Sequence, residues 1–318
     1  MIVHLGLGPF HRAHQAVYTE DAGGWEICGV AWRSRAVVDA LRANRGRYTV
    51  ISRGPDRDES RTVGVIRETL VAAEEPDAVV ARIASPETHV VTLTITESGY
   101  ERGGILELLV RGIAERGGAP LTVLSCDNVP RNGDALRRLL GDVAAFPCTM
   151  VDRIVPTPAD PLTVVAEPFS QWVIEDAFAG PRPAWERAGA ELVVDARPHE
   201  LLKLRLLNAS HSALAHLGLP RGHTTVAEAI ADPELEAFVR SLLEEELIPT
   251  VGPDPDPHAY VERILERFRN PRIEHRLEQI AAGAEHKIAQ RLLPAAEELR
   301  AAGREPALIN RVVRQARR

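Results

Sequence analysis

Four short apolar runs set the strongest limit on what this 318-residue chain can fold into: IVHLGLG at Ile2–Gly8, WEICGVAW at Trp25–Trp32, HVVTLTIT at His89–Thr96 and LTVLSCD at Leu121–Asp127. None alternates apolar and polar residues strictly, so the strands they predict are covered on both faces. Helical periodicity fills the intervals. SRAVVDALRAN carries Val37, Val38 and Leu41 as a stripe; Val79, Val80 and Ile83 do the same before the third run; ILELLVRGIAERGG stops at Gly117 and Gly118. Strand and helix in alternation predict an α/β domain built on a mainly parallel sheet.

The pattern changes after Pro156. PTPADP is a loop, and TVVAEPF and AELVVD still read as strands, placed at a sheet edge. From Pro198 onward the periodicity is helical, over Glu200–Leu217, Val226–Leu247, His258–Arg267 and Ile273–Ala302, with GPDPDP separating two of these segments. The expected organisation is a nucleotide-binding type of α/β domain over residues 1–196 and an all-α domain over 197–318.

Charge narrows the function. With 38 basic and 45 acidic residues the net charge is −7, which argues against a nucleic-acid or anionic-membrane surface. The arginines of Arg311–Arg318 read as a solvated helix end. MIVHLGLG lacks the features of a signal peptide, and no run reaches the roughly 18 apolar residues of a membrane helix. Cys28, Cys126 and Cys148 are far apart and flanked by apolar residues, as buried thiols of a reducing compartment would be. A cytoplasmic address is expected, with monomer and dimer both open. No zinc spacing, G-x-S-x-G or P-loop is present, so no metal is expected.

Two stretches carry the chemistry. In the first, a strand runs into Gly6-Leu7-Gly8, a turn that lets the backbone approach a pyrophosphate ahead of the next helix. His11 stands where the usual G-x-G-x-x-G has its last glycine. After the second strand, Arg33, Ser34 and Arg35 occupy the place of an acid that would bind a ribose diol, and Asp39 is already in the following helix. Two arginines there suit a 2′-phosphate; a solvated pair at a helix start is the alternative.

The second stretch is HELLKLRLLNASHSALAHLG. At 100° per residue, Asn208 lies roughly 140° from Lys203 and His211 roughly 80°, close enough to share one side of an α-helix. A partly desolvated lysine can serve as a general base, and an amide and an imidazole can donate to an alkoxide. The plainer alternative is a snorkelling lysine, a backbone-bonded Asn208 and a core His211. Asn128, in SCDNVPRNG past the fourth strand, could donate to substrate or merely serve an Asn–Pro turn. Asp152 stands beside Arg153, with which it could simply pair.

Taken in order, these stretches resemble the mannitol dehydrogenase family of long-chain polyol-specific dehydrogenases and reductases. The resemblance rests on IVHLGLGPFHRAHQAVYTED, LTITESGY, LTVLSCDNVPRNGD, FPCTMVDRIVP, EPFSQWVIED, RPAWERAGAELVVD and ELLKLRLLNASHSALAHLG, with weaker similarity through ERFRNPRIEHRLEQIAAGAEHKIAQRLLP. It implies a Rossmann-type domain followed by an all-α substrate domain, a nicotinamide cofactor and no metal. In this family His11 belongs to the pattern. The resemblance implies Lys203 as general base, Asn128 and Asn208 as the pair holding the substrate oxygen, and His211 as the residue orienting substrate. It implies Glu200 and Asp152 as acids of a proton relay, and Lys287 as a substrate lysine. Gly6, Gly8, Pro9, Phe10, Arg33, Arg35, Thr96 and Glu97 would meet the cofactor.

Three departures bear on specificity. Members that prefer NAD carry acids where Arg35 and Ala36 stand, which opens NADP beside NAD. Gln279 stands where mannitol 2-dehydrogenases have a polyol-contacting arginine, and FPCTMVDRIVP and HKIAQRLLP look closer to the fructuronate reductase branch. The family's helical domain normally continues beyond the position of Arg318, so the closure of the site is an expectation to test. The expected reactions are mannitol to fructose and mannonate to fructuronate. Mannitol 1-phosphate to fructose 6-phosphate follows, with Lys287 and Arg291 as its only evident basic groups. A truncated, non-catalytic nucleotide-binding protein is the alternative of another class, although such a protein would have no need of Lys203.

Overall fold

The computed structural model describes residues 1–95, 97–100 and 104–317. Among the described residues eleven strands run in chain order: β1 Ile2–Leu5, β2 Ile27–Ala31, β3 Tyr48–Arg53, β4 Asp58–Val63, β5 Ile66–Val71, β6 Val90–Leu93, β7 Thr122–Ser125, β8 Thr149–Asp152, β9 Thr163–Ala166, β10 Gln171–Glu175 and β11 Glu191–Val193. The chain divides into two compact units, one of Met1–Arg53 with Arg57–Ala196, the other of Gly54–Asp56 with Arg197–Arg318.

The first unit is the expected α/β domain. Its main sheet has the order β5-β2-β1-β6-β7, parallel throughout. Helices α1 Pro9–Ala13, α2 Gln15–Ala22 and α3 Arg35–Ala43 follow β1 and β2, while α4 Pro76–Ala84 and α5 Gly104–Glu115 flank β6. Side chains alternate across the sheet, so Ile2, Ile27, Ile66 and Val90 pack with Ala13, Ala16 and Leu41. Val3, Leu5, Val91 and Leu93 pack with Val79, Ile83 and Leu109 on the opposite face. Each fully buried Val, Leu or Ile among these contributes about 1.5–3 kcal/mol. Chain order reverses direction between β1 and β6, and open α/β sheets bind ligands at the carboxyl ends of such a switch point.

TVVAEPF and AELVVD do form strands, each at a sheet edge as expected, in sheets other than the main one. They are β9 and β11, in two smaller sheets of order β4-β3-β9 and β11-β10-β8. The β3–β4 hairpin, which β9 joins, has an exposed outer strand of charged residues and lacked the apolar signal that marks a strand. After β1, the helix starts at Pro9 and breaks at His14, whose φ of −123° and ψ of −93° lie outside the helical region.

The second unit is helical. After α6 Asn132–Leu140, which belongs to the first unit, the chain forms α7 Arg197–Leu202, α8 Ala209–Gly218, α9 Val226–Ala231, α10 Pro233–Ser241, α11 Pro257–Phe268, α12 Leu277–Ala281, α13 Ala284–Arg291, α14 Leu293–Ala301 and α15 Ala307–Ala316. Val226–Leu247 is not one helix: Asp232 ends α9 and caps α10 through its carboxylate, with Pro233 in the first turn. Ile273–Ala302 likewise resolves into α12, α13 and α14. Leu206, Leu214, Val239, Leu243, Ile264, Leu292 and Ile309 are core residues of this unit. Among the described residues no helix is long and apolar enough to cross a membrane.

Candidate active site

The glycine turn after β1 is tightly specified. Gly6 has a φ of +108°, and a Cβ there would lie 2.0 Å from the Thr94 carbonyl oxygen, so only glycine fits. Its own carbonyl accepts from the Gly8 amide at 2.6 Å, the Thr94 hydroxyl at 2.7 Å and His4 Nε2 at 3.0 Å. The Gly6 and Leu7 amides donate to the Val30 carbonyl at 2.9 and 3.1 Å. Gly8 differs: its backbone is extended, and a Cβ would meet nothing nearer than the Gly6 oxygen at 3.7 Å. Protein packing therefore does not demand glycine there. Pro9 brings no N–H, which leaves the Phe10 and His11 amides as the free donors of the first helical turn. Gly6, Gly8, Pro9 and Phe10 thus come together in a cradle that fits a pyrophosphate.

The two arginines after β2 are exposed. Arg33 lies over the Trp32 ring, 5.7 Å from its centroid, and Arg35 pairs with Glu74 at 2.7 Å, with side chains 65% and 42% exposed. Arg35 is thus neither free for a phosphate nor simply solvated. An exposed pair of this kind contributes only about 0–1 kcal/mol, so an anionic ligand can displace Glu74. Thr96 and the side chain of Glu97 lie outside the described residues.

At the carboxyl edge of β6 and β7, Asn128 is exposed and Asp152 is buried at the end of β8. Arg153 donates to the Glu167 carbonyl at 3.0 Å, to Ser52 Oγ at 3.1 Å and to the Ala13 carbonyl. Three residues here escaped the sequence reading. Tyr100 bonds Ser125 Oγ and donates to Asp127 Oδ2 at 3.2 Å, while Asp127 also accepts from the Ile95 amide at 3.2 Å. Burial pushes the Tyr100 hydroxyl pKa up, so it stays protonated. Asn132 ties Ser125 to Thr149 through its amide. These contacts join residues far apart in sequence, and no spacing rule marks them.

In the helical unit the segment from α7 to α8 is continuous but not uniformly α-helical. Lys203–Asn208 is a π-helical turn, and the Ala209 amide donates to the Leu204 carbonyl five residues back. This changes the geometry expected of an α-helix. Residues bonded i to i+4 in an α-helix are about 40° apart in projection. In a π turn the pair so related is i and i+5, which moves Asn208 from roughly 140° to about 40° from Lys203. His211, three α-helical residues further on, then lies about 20° short of Lys203 on the other side. One narrow stripe therefore carries all three. Such π insertions are frequent at functional sites.

Around this stripe Lys203 is 8% exposed and His211 6%. The His211 ring packs on Phe268 and His275, at centroid distances of 4.6 Å each, and its Nε2 has no partner. Burial first, then His275, Arg267, Arg291 and Lys203, hold its pKa well below the ordinary value, so the imidazole is neutral. Arg291 donates to the Asn208 carbonyl at 3.2 Å and Ser212 Oγ at 3.1 Å, fixing the end of the π turn. Lys287 donates to the Ile280 and Gln279 carbonyls at 3.0 and 3.3 Å, at the C-terminal end of α12. Gln279 is exposed, and Glu200 is half-buried on α7, three residues before Lys203. Among the described residues no cluster of three or more His, Cys, Asp or Glu could hold a metal ion.

Residues 1–187 match the family model of the mannitol dehydrogenase Rossmann domain, and residues 195–316 that of the mannitol dehydrogenase C-terminal domain. Mannitol dehydrogenase 2 of Saccharomyces cerevisiae is 34% identical over 93% of this chain and 72% of its own length. The D-mannonate oxidoreductase of Escherichia coli is 36% identical over 92% and 74%. The yeast alignment spans 364 positions, more than the 318 residues of this chain, so the relative carries internal segments with no counterpart here. Among solved structures, Pseudomonas fluorescens mannitol 2-dehydrogenase in a ternary complex with NAD and D-mannitol superposes with a TM-score of 0.90. It is 33% identical, covering 99% of this chain and 78% of that one.

Proposed function

The chain belongs to the mannitol dehydrogenase family, and from that premise we propose that it interconverts a sugar polyol or aldonate with the corresponding ketose or keto acid by hydride transfer, with Lys203 as general base. It is an oxidoreductase acting on CH–OH groups and takes a nicotinamide cofactor, which when bound would supply the hydride acceptor in oxidation and the hydride donor in reduction. The finer assignments are proposals: mannitol and fructose or mannonate and fructuronate as substrate pairs, and NAD or NADP as cofactor.

The observation that supports the reading is the π turn over Lys203–Asn208, for which ideal helical geometry projects Lys203, Asn208 and His211 to within about 60° of one another. In oxidation the Lys203 amine takes the hydroxyl proton as the C–H electron pair leaves with its hydrogen, and a carbonyl remains. Lys203 is 8% exposed, which shields its amine from bulk water. The Asn208 amide donates to the oxygen as charge develops on it, and neutral His211 offers its unpartnered Nε2 to orient the substrate. Asn128 is proposed as a further donor to substrate, Lys287 as a substrate contact, and Glu200 and Asp152 as acids of the proton relay.

Lys203→Met tests the reading. Turnover with mannitol and mannonate should fall by about 10²- to 10⁴-fold, with NADH affinity within about twofold of wild type. Retained turnover would remove Lys203 as the base.

A further inference from the structure

A buried polar network lies beneath the glycine turn, and the hydride-transfer scheme does not use it. His4 is the third residue of β1, on the sheet face that carries Ile2, and is fully buried. Strand register sets it beside Thr92 of β6, across the switch point. Its Nδ1 meets Thr92 Oγ1 at 2.7 Å, and its Nε2 meets the Gly6 carbonyl at 3.0 Å and Thr94 Oγ1 at 2.8 Å.

A carbonyl can only accept, so the proton sits on Nε2, and Nδ1 accepts from the Thr92 hydroxyl. Thr94 Oγ1 donates to the same Gly6 oxygen at 2.7 Å. With the Gly8 amide, three donors converge on one carbonyl. They fix the peptide between Gly6 and Leu7, and with it the direction in which α1 begins. The Phe10 and His11 amides are aimed by that direction.

We propose that His4 and Thr94 are positioning residues of the cofactor turn: by holding the Gly6 carbonyl they set the direction of the first-turn amides that receive the pyrophosphate, and His11 completes the arrangement by covering the His4 ring. The inference rests on the reading that a dinucleotide binds at this turn. His11 stacks on His4 with centroids 3.4 Å apart and planes 12° from parallel. Its ring nitrogens make no hydrogen bond of good geometry, with the Gln15 side chain beside them, so its stacked face is the contact it gives His4. A glycine in its place, as in the usual fingerprint, would leave a void the size of an imidazole against His4. Burial holds the His4 pKa down at about 3 and that of His11 well below the usual range, so both rings stay neutral and can stack.

The test uses the whole chain and NADH. Thr94→Val keeps shape and removes one donor to Gly6; Thr94→Ser keeps the hydroxyl; His4→Phe removes the ring donor and keeps a flat ring. NADH affinity from fluorescence titration should weaken about 3- to 10-fold in Thr94→Val and in His4→Phe. Thr94→Ser should restore it to near wild type, and kcat at saturating NADH should stay within about twofold in all three. Thermal unfolding of each variant separates a loss of fold from a loss of alignment. If Thr94→Val binds NADH like wild type, whatever its stability, or if Thr94→Ser binds as weakly as Thr94→Val, the positioning role is refuted. A wild-type chain that binds neither NADH nor NADPH would instead refute the dinucleotide reading beneath it.

Discussion

Alanine at Gly6 and at Gly8 should separate the two duties that the cofactor turn combines. At Gly8 the added methyl meets only the Gly6 oxygen, at 3.7 Å, which is ordinary contact, and the extended backbone accepts any residue. The cost to the free protein is that of a weaker helix cap, at most about 1 kcal/mol. For a unit of this size that lowers Tm by about 2–4 °C. A bound pyrophosphate would be pushed away from the Phe10 and His11 amides. Losing one charge-assisted hydrogen bond costs about 1.5–3 kcal/mol, which is a 10- to 100-fold weaker NADH complex. At Gly6 the methyl would stand 2.0 Å from the Thr94 carbonyl oxygen, at a φ of +108°, so the backbone itself must move and the fold loses stability with or without cofactor. Fluorescence titration with NADH and thermal unfolding of both variants decide the matter. If Gly8→Ala binds NADH within twofold of wild type, the turn does not cradle the pyrophosphate and the reasoning fails.

Other expectations follow from the same structure. Arg35→Asp should shift preference toward NAD, and Glu74→Ala should tighten NADPH relative to NADH by releasing Arg35; unchanged ratios of the two dissociation constants would refute a 2′-phosphate role. His4, His11 and His211 all have folded pKa values below the ordinary histidine value. The unfolded chain therefore binds more protons below pH about 6.5, and stability should fall as pH drops from there toward about 4, by up to roughly 1.4 kcal/mol per pH unit for each histidine. Above pH about 7 these groups add no slope; denaturant titrations across this range would expose a flat acid limb if the rings were not buried and neutral. Chelators should leave turnover unchanged, and inhibition by EDTA that added metal reverses would reveal a metal requirement.

The main sheet was readable because its strands are covered on both faces and therefore appear as unbroken apolar runs. The β3–β4 hairpin was not, since Asp58–Val63 is charged and exposed and its pairing with Tyr48–Arg53 supplies the order that composition does not. Lys203, Asn208 and His211 can be singled out as polar residues able to share one side of a leucine-rich helix, but the angles between them depend on the π turn. No local residue pattern announces a π insertion; it depends on how the helix is held, here partly by Arg291 reaching back to the Asn208 carbonyl from 83 residues away. His4 was passed over for a similar reason. In sequence it is one polar residue in an apolar strand, and its role exists only once β6 brings Thr92 and Thr94 alongside. The 364-position alignment with the yeast relative also places segments of that relative, unmatched here, at internal positions.

Isotope transfer tests the central claim most directly. NADH carrying deuterium at the transferable C4 position, incubated with the chain and either fructose or fructuronate, should place one deuterium on the carbon that becomes the secondary alcohol, as read by mass spectrometry of mannitol or mannonate. Lys203→Met should bind the same NADH and transfer far less. Tight NADH binding by the wild-type chain, with no deuterium reaching any keto sugar or keto acid of the panel while a related active enzyme labels them under the same conditions, would contradict hydride transfer as its function.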